Sequence, residues 1–242
     1  MLAAMRLIGV VLSCVICTSA IAATPTSQPT LRVLFVTGGE AHDFKKLAPI
    51  VTQGIAKYAN VNITTRFGRE ALKDKTLADG YDAIVYDICY NGQDPAEYEN
   101  LLRITRDGKP TVAIHATMHT FKPLDAWSEM LGMTSAVHDP YQPFTTIKLD
   151  DQNPITRDWP ANWKTAGDEL YNTIKLWASV HALLKVKSPR DGREHIVAWT
   201  NTYGKARVFG TTLGHDEKTA SDPDYQRLLA NGLLWTCGRL EK

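Results

Sequence analysis

The chain has 242 residues, of which 44% are hydrophobic and 22% charged, with 27 basic and 26 acidic side chains. That near-zero balance leaves no electrostatic footprint for DNA, RNA or an anionic membrane surface, so nucleic-acid partners are excluded from the expectation. The length suits one α/β domain, the apolar share allows a full core, and only two of the four cysteines, Cys89 and Cys237, lie beyond the N-terminal segment, too few for a disulfide framework.

The first 22 residues read as a cleaved leader. Arg6 supplies a positive n-region, Leu7 to Cys17 is an apolar run, and Ala20-Ile21-Ala22 places small residues at the cleavage positions. The run is shorter than the roughly 20 apolar residues that a membrane span needs, so no membrane span is expected. Cleavage would remove Arg6 and no acid, leaving 26 charges of each sign, and would send the protein to the periplasm or outside the cell. Residues 23–30 form a Pro/Ser/Thr linker, and 31–242 the domain. Of the cysteines only Cys89 and Cys237 lie in that domain, both in apolar segments, where they read as small hydrophobes.

From Leu31 the chain alternates strand-like and helix-like segments, the pattern of a mostly parallel sheet with helices on both faces. Leu31 to Thr37 is an apolar strand running into Gly38-Gly39. Asp43 can cap a helix whose Leu47, Val51, Ile55 and Tyr58 recur at helical spacing, with Pro49 expected to delay or bend its start. Val61 to Phe67 alternates as a second strand, and Tyr81 to Cys89 is apolar on both faces and therefore central. Asp94-Pro95 opens a helix that Gly108 closes, and Thr111 to His115 is a fourth buried strand. Phe144 to Leu149 and His181 to Val186 read as further strands. Glu194 to Thr200 and Arg207 to Leu213 flank Tyr203-Gly204-Lys205 as a hairpin. Asp222-Pro223 starts the last helix.

In open α/β sheets, ligands bind beyond the carboxyl ends of the strands. Three such places carry histidine: His42, beside Asp43 and after two glycines; His115, at the end of an apolar strand; and His215, beside Asp216 and after Gly214. One such histidine would be structural; three point to a shared site, the alternative being three histidines bonded separately to their own loops. His138 lies in a loop, as a surface residue or a further site member. His119 is expected at the surface, and His181 and His195 begin strands at the far edge. Asp168-Glu169, in a stretch holding Trp159, Trp163, Tyr171 and Trp177, reads either as two solvated acids or as a carbohydrate pocket. In the second case aromatic faces would stack on sugar C–H surfaces while carboxylates accept hydroxyl protons; the tryptophans read equally well as core.

These residues in order, from Gly38-Gly39 and His42-Asp43 through Ile114-His115-Ala116, Asp168-Glu169-Leu170-Tyr171, Ala198-Trp199-Thr200, Tyr203-Gly204-Lys205 and Arg207-Val208-Phe209 to Gly214-His215-Asp216, resemble the motif series of ThuA-like (trehalose-utilisation) proteins. The resemblance implies a flavodoxin-like three-layer sandwich similar to class I glutamine amidotransferases, and a small-molecule carbohydrate partner, trehalose or a keto-sugar. It also implies a departure. The amidotransferase elbow carries a nucleophilic cysteine where this chain has His115, while the partner histidine persists as His215, so glutaminase chemistry is not expected. His115, His215 and Glu169 are then the candidate acid/base residues, with His42, Asp43, Asp216, Tyr171 and His138 as candidate binding residues. A divalent metal such as zinc is a variant, because two or three histidines plus a carboxylate form a usual zinc set; no short-spaced histidine pair on a helix supports it. Hydrolase, lyase and isomerase all fit, and a non-catalytic sugar-binding module is the alternative.

Overall fold

The computed structural model describes residues 28–240; the leader and all but the end of the linker lie outside the described residues. In chain order the elements are β1 (Leu31–Gly39), α1 (Phe44–Tyr58), β2 (Val61–Phe67), β3 (Ala83–Cys89), α2 (Pro95–Arg106), β4 (Thr111–Ile114), α3 (Asp125–Leu131) and β5 (Met133–His138). There follow β6 (Ile147–Lys148), β7 (Tyr171–Leu176), β8 (His181–Lys187), β9 (Glu194–Tyr203), β10 (Ala206–Thr211), α4 (Glu217–Ala220) and α5 (Pro223–Thr236).

Eight strands form one sheet in the order β2-β1-β3-β4-β10-β9-β8-β6. The first five are mutually parallel and the last three antiparallel. The five parallel strands therefore end along one edge, where β1, β4 and β10 deliver the segments that carry histidine. A parallel strand is covered on both faces, which is why β1 and β3 are nearly continuous apolar runs. Val33 and Phe35 face a core closed by Leu47 and Ile55 of α1 and Leu229 and Leu233 of α5. Leu34 and Val36 face a second core closed by Leu101 of α2 and Trp127 of α3. The result is a three-layer α/β sandwich. No helix among the described residues is long and apolar enough to cross a membrane.

Three expectations change. The helix α1 begins at Phe44 and continues through Pro49, because Asp43 caps Lys46 N and buried Phe44 and Leu47 hold the first turn on the sheet. Of Phe144 to Leu149 only Ile147–Lys148 pairs as strand. The flanking backbone is satisfied by the following loop instead, through Thr146 N to Trp163 O and Thr165 N to Phe144 O. Trp159 and Trp163 are core residues, 4.6 Å apart at their centroids, and their indole N–H groups donate to Thr146 and Asp222. Trp177 lies under the Lys175 ammonium. The tryptophans therefore build no sugar platform at the strand ends.

Candidate active site

The sharp turn after β1 depends on Gly39, whose φ is +132° and where a Cβ would overlap the Cys89 carbonyl. It sends the chain through Ala41, also at positive φ, to His42. His115 follows β4 directly at φ +43°, an L-residue in the left-handed region. Such a conformation costs on the order of 1–3 kcal/mol and persists only where the surroundings over-determine it. Here they do: the His115 Nδ1–H donates to the Thr212 carbonyl over 2.6 Å, and the ring is 2% exposed. A carbonyl only accepts, so Nδ1 carries a proton and Nε2 is the nitrogen that faces the site. His215 follows Gly214, at φ +116°, where a Cβ would collide with the Tyr225 hydroxyl. The fully buried Asp168 carboxylate accepts from Gly214 N at 2.9 Å and His215 N at 3.3 Å, clamping the third loop.

The three loops bring His42, His115 and His215 together. Ring centroids are 4.9 Å apart for His42 with each of the others and 5.4 Å for His115 with His215, and one ring nitrogen from each lies within 4.8 Å of the rest. Glu169 enters from just before β7. Its Oε2 is 3.6 Å from His115 Nε2 and 3.2 Å from His215 Nδ1, and its Oε1 is 3.7 Å from His138 Nε2. His215 Nδ1 is buried and makes no aligned hydrogen bond. The Tyr171 hydroxyl is 3.5 Å from His115 Nε2, and the buried Tyr171 ring forms a wall on which His119 stacks at 4.1 Å.

Burial, reinforced by the two neighbouring imidazoles, pushes the His42 pKa down to about 4, so His42 is neutral at neutral pH. Burial also opposes charge on His115 and on Glu169. For His115, contact with Glu169, Asp168 and the Thr212 carbonyl outweighs it and raises the pKa. For Glu169, His115 and His215 outweigh it and hold the carboxyl well below its usual range. The cluster thus combines an imidazole of raised proton affinity, a neutral imidazole and a carboxylate, the components of general acid–base chemistry. The same groups suit a cation. A neutral imidazole whose other nitrogen donates to a backbone carbonyl is the usual arrangement of a metal-ligating histidine, and His215 Nδ1 is an orphaned buried donor atom.

The remaining candidates divide. Asp43 caps α1 and pairs with Lys46 at 3.4 Å; Asp216 caps α4 and accepts from the Tyr141 hydroxyl at 2.7 Å. Both carboxylates stand at the rim. His138 lies at the cluster with its ring 38% exposed, so the surface and site readings both hold for it. His119, expected at the surface, is half-buried against Tyr171, because a 3-10 turn from His115 to His119 carries it back over the site. His181 pairs with Asp150 and His195 accepts from Thr173 N, away from the cluster. Sequence reading missed Asp168 as a clamp, and missed Asp87, a buried carboxyl at the end of β3 whose pKa burial raises to about 7. It also missed a cleft of about 610 Å³ beside His42, lined by Phe67, Arg69 and Tyr90. An exposed aromatic at a strand end was the one available signal. Cys89 and Cys237 are free and partly buried, and neither occupies the elbow.

The family model for ThuA, described as trehalose utilisation, matches residues 32–236. No curated protein matches the sequence. Among solved structures, a ThuA-like protein from Parabacteroides merdae superposes with a TM-score of 0.72 at 19% identity, covering 88% of this chain and 92% of that one. One from Bacteroides uniformis gives 0.70 at 19% identity, covering 88% and 94%. A GMP synthase component from Thermoplasma acidophilum gives 0.53 at 12% identity, covering 87% and 96%. At these identities the superpositions establish the fold, shared with glutamine amidotransferase-like proteins.

Proposed function

We propose, from the premise that this chain belongs to the ThuA trehalose-utilisation family, that it chemically alters a carbohydrate, trehalose or a keto-sugar derived from a glycoside, at the His42–His115–His215–Glu169 cluster. One observation carries the reading: a single carboxylate lies within 3.7 Å of three imidazoles at the carboxyl edge of the sheet. Glu169, held ionised, accepts a proton from carbon or from water. His115, whose proton affinity that carboxylate raises, donates to the departing or developing oxygen. Tyr171 provides the flat wall and His138 a rim donor. Beside a sugar carbonyl this pair moves a proton between carbon and oxygen; at a glycosidic bond it protonates the leaving oxygen. Glutaminase activity is not part of the proposal, because the elbow holds an imidazole in place of a thiol.

A second reading is favoured by the three converging nitrogens: His42, His115 and His215 hold a divalent cation of the zinc class, with Glu169 as fourth ligand or as base. Such a cation, when bound, polarises a sugar oxygen as a Lewis acid. The leader expected over residues 1–22 supports placing this chemistry outside the cytoplasm, near sugar uptake, and intact mass of the exported protein should show a start near Ala23. The deciding experiment assays the purified chain on trehalose and 3-keto-glycosides, with and without zinc and chelator, beside His115→Ala and His215→Ala. An enzyme loses turnover in the variants with modest loss of binding. A sugar-binding module shows no turnover in the parent and loses affinity alone.

A further inference from the structure

The cleft beside His42 has a composition that the cluster does not explain. His42 is a wall of both the cleft and a smaller hollow formed with His215 and Asp216, so a ligand at the cluster can extend past His42 into the cleft. On the far side stands Phe67, the last residue of edge strand β2, with 52% of its surface exposed. An aromatic ring left this open forgoes part of the burial that would stabilise it. Its flat face beside a concave polar surface is what the C–H face of a pyranose covers. Tyr90 forms the floor: it is 6% exposed, and its hydroxyl is buried against Gly38 with no hydrogen-bond partner. A buried hydroxyl left unpaired is costly, and a ligand hydroxyl would satisfy it.

Arg69 is fixed in the same wall. Its Nε donates to both oxygens of Glu97 at 2.8 and 2.9 Å, its Nη1 donates to the Asn91 carbonyl at 2.8 Å, and the guanidinium lies 5.5 Å from the Tyr90 ring centre. Glu97 is itself 1% exposed, a buried carboxylate that holds Arg69 in place and has Lys73 3.9 Å away. The pairing cancels the charge but leaves the guanidinium edge as an aligned donor. Around the rim, with Arg69 already paired to Glu97, Lys45 faces Glu40 and Asp43. The cleft therefore has no surplus positive charge for a phosphate, and its donors suit neutral hydroxyls.

We propose that this cleft is the subsite for a second sugar ring, stacked on Phe67 with its hydroxyls on Arg69 and the Tyr90 hydroxyl, so that the chain selects an uncharged disaccharide over a monosaccharide or a sugar phosphate. The inference rests on the carbohydrate reading of the cluster and adds to it where selectivity resides.

Calorimetric titration of the full chain with trehalose, glucose and trehalose 6-phosphate tests it, using the parent, Phe67→Ala and Tyr90→Phe. Phe67 is exposed and Tyr90→Phe removes only an unpaired hydroxyl, so both variants should fold. The expected result is trehalose bound most tightly by the parent, a loss on the order of tenfold in Phe67→Ala, a smaller loss in Tyr90→Phe, and glucose affinity unmoved. Equal affinity of the parent for trehalose and glucose, preference for the phosphate, or a trehalose-to-glucose ratio unchanged by both substitutions overturns the subsite and leaves the carbohydrate reading standing. Failure of the parent, with and without zinc, to bind any of the three sugars overturns the subsite, and failure to bind or turn over 3-keto-glycosides as well overturns the carbohydrate reading with it.

Discussion

Asp168 and Glu169 are adjacent in the chain and act in different places. Asp168 is fully buried and accepts the backbone N–H groups of Gly214 and His215, whereas the Glu169 carboxylate reaches the ring nitrogens of His115, His138 and His215. Glu169 is the proposed reacting group, and Asp168 is the clamp that holds the loop carrying His215. Asp168→Asn replaces one acceptor oxygen with N–H donors facing N–H donors, at a cost of about 1–3 kcal/mol. The variant should unfold earlier in urea and lose activity through a displaced His215. Glu169→Gln keeps the shape but forfeits its pairing with His115 and His215, so it too should unfold earlier in urea, while kcat falls by roughly 10²–10⁴. A Glu169→Gln variant that retains the parent's kcat would show that the division of labour is wrong.

Asp87 predicts a pH effect on stability that is separate from activity. Burial raises its carboxyl from 3.8 to about 7, so between those values the folded chain holds a proton that the unfolded chain has released. Its contribution is therefore complete below about pH 4 and declines as pH rises through 7. Asp87→Asn removes the titration without changing the shape. At pH 4 the two proteins should unfold at similar urea concentrations; at pH 8 the variant should be more stable by up to a few kcal/mol. A constant difference across that range counts against the shift.

The thiols should be dispensable. Burial raises the pKa of both Cys89 and Cys237, which leaves little thiolate at neutral pH, and His115 occupies the elbow where a thiol would be needed. Glutamine should release no ammonia with the purified protein. Treatment with iodoacetamide should leave sugar turnover largely intact. Thiol-dependent ammonia release would contradict both statements.

If the three imidazoles hold zinc, the folded state gains binding energy that the unfolded chain lacks. At a hundredfold excess over Kd that gain is ~2.7 kcal/mol, or roughly a 5–10 °C rise in Tm for a domain of this size. Scanning calorimetry should show the rise in the parent and its reversal by chelator. His42→Ala, His115→Ala and His215→Ala should each abolish it, while His181→Ala, whose ring pairs with Asp150 elsewhere, should retain it. A rise that persists in all three cluster variants would place the ion at another site.

Local pattern was enough for the sheet. The apolar runs that became β1, β3 and β4 are strands because only full burial on two faces suits such sequences, and the glycine turns after β1 and β10 leave His42 and His215 at the carboxyl edge. The separation of His42, His115 and His215 into one cluster, and away from His181 and His195, follows from strand direction alone. Tertiary structure decided the rest, because each deciding contact joins residues far apart in the chain. The Thr212 carbonyl that sets the His115 tautomer is 97 positions away, and the amides that bury Asp168 are 46 and 47 positions on. Trp159 and Trp163 went to the core because α5 and the segment leading into β6 offered both apolar surface and indole acceptors, Asp222 and Thr146, which composition cannot rank against a sugar face. Phe67 carries the opposite lesson. Alternation marked it as an ordinary strand residue, and only its place at the end of an edge strand, beside a fixed Arg69 and an unpaired Tyr90 hydroxyl, makes it a surface for a ligand.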